Sequence, residues 1–309
     1  MMFAHTIGSE YKPLKAVLLY KPGPFIENID IPREVLHLGS ISYSVLTREY
    51  AEMVNAYKKL KIKTYFINAD KISNDDNHGL FNLMFIRDLF LMTPSGAIIS
   101  RMFSKVRRAE EGYAKMTLSG MGVRIRRIVR AGATFEGADA LWLRDRLMMV
   151  GVGKRTNING FREIKEELKK DNIECLSFPA PQATLHLLGA LQFVDSALAL
   201  VRVDLVDVGI LNFLKQNKIK IISIPENAEV RKKQAMNFVV IAPRKIVMPA
   251  DCPKTRRIYE RFGIKIAAEV KITQLVNGGG GLACATGILT RKPEATHSWH
   301  PNINNKISK

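Results

Sequence analysis

The sequence predicts a closed ring of five α/β units, and three observations carry that reading. Hairpin-like tips fall near Ser95, Asp145, Ser196 and Arg244, spaced 50, 51 and 48 residues apart, which is an internal period of about fifty residues. Each interval holds a helix-like segment followed by another strand-like one. The two ends of the chain supply the pieces of a further unit. Repeats of this size either stack into a capped solenoid or close radially, and a unit completed from both ends favours closure.

Taken in order, residues 15–22 (KAVLLYKP) read as a short apolar strand ended by Pro and Gly. Residues 47–61 place Tyr50, Met53, Val54, Tyr57 and Leu60 on one helical face, and residues 63–68 (KTYFIN) follow as a strand. Residues 85–92, the turn at 93–96 and residues 97–102 read as a hairpin. So do 140–143 with 147–152, 191–194 with 197–203, and 237–242 with 246–249. Helix-like stretches at 160–171, 206–216 and 255–262 lead to strands at 174–178, 219–224 and 264–269. The apolar run 285–290 closes the series. The tail from 292 to 309, rich in Pro, Asn and Lys, reads as a poorly ordered appendage, leaving 1–291 as a single catalytic domain.

Bulk properties exclude several classes. With 47% hydrophobic residues the chain can bury a large core. Its three cysteines, Cys175, Cys252 and Cys284, form neither a disulfide framework nor a thiolate zinc motif, so a reducing, cytoplasmic setting is expected. No run of about 18 apolar residues suggests a membrane span. The 47 Lys and Arg against 29 Asp and Glu give +18, a charge suited to anionic partners. It is dispersed, and its densest run, Arg124 to Arg130, alternates with apolar residues as an exposed strand or helix face would. Nucleic acid is therefore not expected as the main partner, although the charge leaves it open, as the sequence leaves open homo-oligomer formation.

Four consecutive glycines, Gly278 to Gly281, stand three residues before Cys284. Such a run serves an unusual backbone turn or a close backbone approach. Other polar residues stand out at strand entries: Arg87-Asp88 in an apolar run, Glu136 and Asp139 flanking a glycine, and His186 among leucines. Each has a plain alternative as a local ion pair, a cap or a satisfied core histidine. Their recurrence at equivalent places in successive units points to convergence on the ring axis.

Phe85-Ile86-Arg87-Asp88, Phe135-Glu136-Gly137-Ala138-Asp139, Leu185-His186-Leu187 and Gly279-Gly280-Gly281-Leu282-Ala283-Cys284-Ala285-Thr286 resemble, in order and spacing, the guanidine-modifying superfamily. That group comprises arginine deiminases, dimethylarginine dimethylaminohydrolases and arginine amidinotransferases, and the resemblance extends to about Arg291. It implies the five-bladed α/β propeller, or pentein, fold with pseudo-fivefold ββαβ repeats. It also implies a hydrolase of guanidino C–N bonds without metal or organic cofactor. Asp88 and Glu136 would hold the guanidinium, since carboxylates accept paired N–H bonds. Cys284 would attack as thiolate, and His186 would protonate the departing amine and then activate water. Arg107 and Arg155 match arginines that bind the substrate carboxylate, Asn82 matches a contact to the amino-acid end, and Asp139 is placed with these substrate-binding residues.

The chain departs from the deiminases in reading His186-Leu187-Leu188 where they carry His-x-Asp, which points to the dimethylarginine branch and leaves room for an N-alkyl group. Against this, Arg87-Asp88 follows the deiminase form. The expected activity is hydrolysis of arginine or a methylated arginine through a covalent cysteine intermediate. Amidino transfer to an amine is the nearest rival, and a non-catalytic propeller binding RNA or a ribosome is the rival of another class.

Overall fold

The apolar runs that read as strands pair into five separate sheets of three strands each, as a computed structural model describing residues 7–67 and 80–292 shows. The first complete unit is β3 (Phe90–Thr93), β4 (Gly96–Ile99), α2 (Glu110–Gly120) and β5 (Ile125–Ile128), where β1, β2 and α1 belong to the chain start described below. The second is β6 (Ala140–Arg144), β7 (Leu147–Val152), α3 (Ile158–Lys169) and β8 (Glu174–Pro179). The third is β9 (Leu191–Asp195), β10 (Leu198–Val201), α4 (Val208–Gln216) and β11 (Lys220–Ser223). After the short α5 (Ala228–Lys232), the fourth is β12 (Val239–Ala242), β13 (Lys245–Pro249), α6 (Pro253–Arg261) and β14 (Lys265–Val270).

In every unit the middle strand runs antiparallel to the first and parallel to the third. The fifth obeys the same rule with the two ends of the chain exchanged. After α7 (Thr273–Asn277), β15 (Gly287–Arg291) pairs antiparallel with β1 (Leu14–Leu19), as in Val17 opposite Ile288. Following α1 (Tyr43–Lys59), β2 (Lys63–Phe66) lies parallel on the other side of β1. Contacts of β15 with β3, of β12 with β9 and of β1 with β12 carry the succession round the ring.

The burial pattern follows from this arrangement. β3, β4 and β10 are buried at every position, whereas the third strands β2 and β5 are largely part-exposed. Strands covered on both faces need continuous apolar sequence, and that is what made the hairpins readable.

Several boundaries differ from expectation for physical reasons. The stretch 85–92 is not one strand: Ile86–Asp88 is a 3-10 turn, and the strand starts at Phe90. The strand expected from 237 begins at Val239, which leaves Asn237 outside the ladder. α1 starts at Tyr43, four residues early, and buries Leu46, Tyr50, Met53 and Tyr57. α2 was not anticipated; its buried face consists of Glu110, Ala114 and Leu118, too short a stripe to stand out. The basic run forms strand β5, with Arg124, Ile128 and Arg130 exposed as expected, while Arg126 pairs with Glu167 and Asp171, and Arg127 with Glu163 at 2.7 Å, all on or just after α3 of the next unit. Of the expected tail, Lys292 donates its backbone N–H to Pro13 O at 2.7 Å. Residues 293–309, like Asn68 at the end of the expected strand 63–68, lie outside the described residues.

Arg87 and Glu10 form a buried pair at the ring interior. The Arg87 Nη2 group donates to both Glu10 oxygens at 3.0 and 3.1 Å, and Glu10 also accepts from Trp142 N–H at 3.2 Å. Removing one partner of a buried ion pair leaves the other charge uncompensated, at about 3–5 kcal/mol. Arg87→Ala is therefore expected to lower unfolding stability by about that amount in denaturant titration. A loss within the roughly 1 kcal/mol of an exposed pair would contradict the assignment.

Candidate active site

Each unit contributes one polar residue from the segment just before its first strand. Asp88, Glu136, His186, Asn237 and Cys284 precede β3, β6, β9, β12 and β15 by two to five residues. The ring brings their segments to one end of the axis, around a cavity of about 670 Å³ whose wall includes Asn82, Asp88, Arg107, Arg155, His186, Asn237 and Cys284.

Cys284 is placed by the glycine loop. Gly279 has φ +89, and a Cβ on Gly280 would stand 2.4 Å from the Phe85 ring, so the loop can pack on that ring only as glycine. Asn237 then holds Cys284. Its Oδ1 accepts from the backbone N–H of Ala283 at 2.7 Å and of Cys284 at 3.1 Å, while its Nδ2 donates to Cys284 Sγ at 3.0 Å. Burial pushes the thiol pKa up, and the charge of Asp88 pushes it further against the Asn237 hydrogen bond. Cys284 is thus held as a thiol.

His186 lies on extended backbone ahead of the 3-10 turn Leu187–Gly189. Its Nε2 is 2.6 Å from Glu136 Oε2, and its Nδ1 is 3.7 Å from Asp88 Oδ1. Burial lowers its pKa, but Asp88, Glu136 and Asp139 outweigh burial and raise it, so the imidazole is charged at neutral pH. Glu136, fully buried, moves the other way: burial raises its pKa, and His186, Arg107 and Arg155 more than reverse that. The Glu136 carboxylate, expected to hold a guanidinium, is engaged by protein groups on both oxygens. Its Oε2 takes His186, and its Oε1 accepts from Phe103 N–H at 3.0 Å with Arg155 Nη1 at 3.5 Å.

Asp88 is the carboxylate left open. Oδ2 accepts from Arg107 Nη1 at 2.6 Å, whereas the buried Oδ1 has no hydrogen-bond partner. Buried acceptors are seldom left unpaired without a reason, and this one stands 3.7 Å from His186 Nδ1 on a residue that lines the cavity. Arg107 sits behind it with four of a guanidinium's five donors engaged by Glu110, Asp88, Asn82 O and Phe85 O. Burial raises the Glu110 pKa to about 7 against the pull of Arg107. Arg107 therefore serves Asp88 first and has one N–H left for a ligand. Asp139, expected among the substrate contacts, is turned inward: Oδ2 accepts from Thr156 Oγ1 at 2.7 Å and Oδ1 from Leu187 N–H at 3.0 Å. It pins the backbone that follows His186. Arg155 and Asn82 do line the cavity, while Arg87 turns away from it and lines a small separate cavity with Glu10, Gln192 and Arg291.

Donor atoms of Asp88, Glu136 and His186 lie within 4.8 Å of one another, close enough for a metal ion. The Nε2 that would bind a metal is here the proton-bearing partner of Glu136, so the cluster is better suited to storing a proton. Sequence reasoning missed Asn237, although the roughly fifty-residue spacing of the other four residues marks that position.

A family model described as N,N dimethylarginine dimethylhydrolase, eukaryotic, matches residues 40–290, and the chain belongs to that family. A protein of Bacillus subtilis, YkgA, is 22% identical over 286 residues, covering 92% of this chain and 94% of its own. An Aeropyrum pernix protein is 29% identical over 188 residues, a match spanning 61% of this chain and 65% of that relative. Among solved structures, the dimethylarginine dimethylaminohydrolase of Pseudomonas aeruginosa, a mutant complexed with citrulline, superposes with a TM-score of 0.70 at 20% identity, covering 91% of this chain and all of that one. The fold is that of these proteins.

Two outcomes follow from the geometry. Glu136→Gln removes one of the anions that raise His186, together with Asp88 and Asp139, so the basic limb of the kcat/KM–pH profile is expected to move down by about 1 unit or more; an unmoved limb would mean that Glu136 does not contribute to the His186 charge. Asn237→Ala removes both anchors of the nucleophile loop and is expected to slow alkylation of Cys284 by iodoacetamide at fixed pH, read by mass spectrometry. A rate equal to that of the unmodified protein would place the thiol outside Asn237's control.

Proposed function

We propose that the protein is a cysteine hydrolase that cleaves a guanidino C–N bond of arginine or a methylated arginine. The observation that carries this reading is the unpaired Asp88 Oδ1 beside a neutral Cys284 thiol and a charged His186. An anionic acceptor in a buried cleft calls for a cation, and a guanidinium supplies one with paired N–H donors. Its arrival neutralises the charge that holds the thiol pKa up, so binding itself promotes loss of the Cys284 proton to solvent.

The steps then balance. Cys284 Sγ bonds to the central guanidine carbon. His186 gives its Nδ1 or Nε2 proton to the departing nitrogen, the C–N bond breaks, and ammonia or an alkylamine leaves. Water adds to the remaining S-linked amidinium as neutral His186 takes one of its protons. The C–S bond breaks, returning the thiolate, and the hydroxyl proton goes to solvent as the ureido carbonyl of citrulline forms. Glu136 keeps His186 charged for the first transfer and oriented for the second.

Leu188, buried in the cavity wall where deiminases carry an acid, supports a methylated nitrogen as an acceptable leaving group. Arg87, which follows the deiminase form in sequence, does not bear on this choice because it faces Glu10. Incubation with arginine, monomethylarginine and dimethylarginine should yield citrulline with ammonia, methylamine or dimethylamine, and His186→Ala should lower kcat by about 10²- to 10⁴-fold. Failure of the wild-type protein to turn over any of the three would sink the reading.

A further inference from the structure

The end of the ring opposite the candidate active site carries an inference that does not depend on the guanidine reading. Each unit of continuous chain turns there twice, once at its hairpin tip and once where its helix gives way to its third strand. The two turns lie side by side: Lys265 N–H donates to Arg244 O at 2.7 Å, Glu174 N–H to Arg146 O at 2.9 Å, and Lys220 N–H to Ala197 O at 2.8 Å. Neighbouring units join at the same level, since Arg244 N–H donates to Val194 O at 2.7 Å and Arg144 Nη1 to Asn217 Oδ1 at 3.2 Å.

The basic residues, dispersed along the chain, are gathered in space at this end. Lys63, Lys220 and Lys265 open the third strands of three units, and all are exposed; Glu174 takes that place in the second. Arg146, Lys218 and Lys245 are exposed on the adjoining turns. Acids of the same turns are already engaged: Asp145 by Lys12 at 2.6 Å, Asp171 by Arg126 and Asp195 by Arg244.

Two features show that these cations are kept at a cost to the fold. One residue past each helix C-cap the backbone is left-handed, and Gly122, Gly263 and Asn172 hold that place at φ 78, 74 and 55. In the remaining two units it is held by Lys61 and Lys218, at φ 59 and 57, although glycine and asparagine suit this conformation and lysine does not. Lys245 also stands opposite Lys265 in the ladder, and like charges across a sheet destabilise it. Attraction to helix C-termini does not account for that strand pair.

Among the described residues, none of the large exposed apolar side chains lies on these turns. The face therefore lacks the apolar anchors that hold a protein in a bilayer surface. Phe262, an aromatic ring on one of the turns, has Lys220 Nζ 5.5 Å above its centre, so it offers no open platform for unpaired bases. A double helix fits better, since it presents one phosphate charge per about 1.7 Å of its axis and keeps its bases stacked inside. We infer that this end of the ring docks double-helical nucleic acid through the phosphates alone, without reading sequence or sugar.

The test titrates the full chain with duplexes of about 20 base pairs, one DNA and one RNA, in fluorescence anisotropy across about 50–200 mM salt. Both are expected to bind alike, with log affinity falling linearly in log salt. Lys61→Gly combined with Lys218→Gly removes two cations and relieves two left-handed lysines. It should lower the salt slope by about 2 while the thermal midpoint stays unchanged or rises. Lys265→Gln, which relieves the like-charge pair, should lower the slope by about 1. Lys254→Ala with Lys271→Ala takes the same charge from the active-site end and should leave binding unchanged. The assignment is overturned by no binding at the lowest salt, by a clear preference for single strands or for one sugar, or by capture of phosphatidylserine vesicles in place of duplex. It is equally overturned if the glycine variants bind like the unmodified protein, or if both double variants lose affinity equally.

Discussion

The pairing of β15 with β1 is the constraint on which the rest of the molecule depends. Four units are built from continuous chain, and the fifth exists only when the last described strand returns to the first. Cys284 precedes β15 by three residues, and Arg87 N–H donates to Cys284 O at 3.0 Å across the closing seam. Closing the ring and placing Cys284 are therefore one event. The buried Arg87–Glu10 pair draws the chain start to the same seam. Long-range pairing of this kind is costly in loop entropy before it is rewarded, which gives the closing contacts a large share of the cooperativity.

Within the ring, charges are arranged in a chain that leaves one acceptor free. Glu110 holds Arg107, Arg107 holds one oxygen of Asp88, Glu136 holds His186, and Asp139 holds the backbone beside His186. Each of these buried charges has a partner of opposite sign or a hydrogen-bond donor, as low dielectric demands. One oxygen among them, Asp88 Oδ1, has no hydrogen-bond donor.

Much of the fold was legible in the sequence because strands covered on both faces require uninterrupted apolar runs, while their tips require polar turns; the fifty-residue beat is that alternation. Asp88, His186 and Cys284 were legible because polar residues inside apolar segments need a reason. What stayed hidden depends on pairings between distant residues. No spacing reveals that Glu136 hydrogen-bonds His186, or that Glu110 takes one donor of Arg107. Asn237 was concealed by an apolar run that seemed to begin at it, and α2 by a buried face that includes a glutamate. The partners of the dense basic stretch were hidden for a related reason, since its neutralising acids lie on the next unit.

The equivalence of the five sheets has a consequence for how such sites can arise and be rearranged. The five polar residues occupy one structural position repeated five times, so their order along the chain records only where the circle is cut. Pro13 O and Lys292 N–H are already within one hydrogen bond, so the two ends of the described chain meet where the other units have a hairpin turn. The chemistry belongs to the circle, and altering it takes a change at one position per unit with the scaffold left alone.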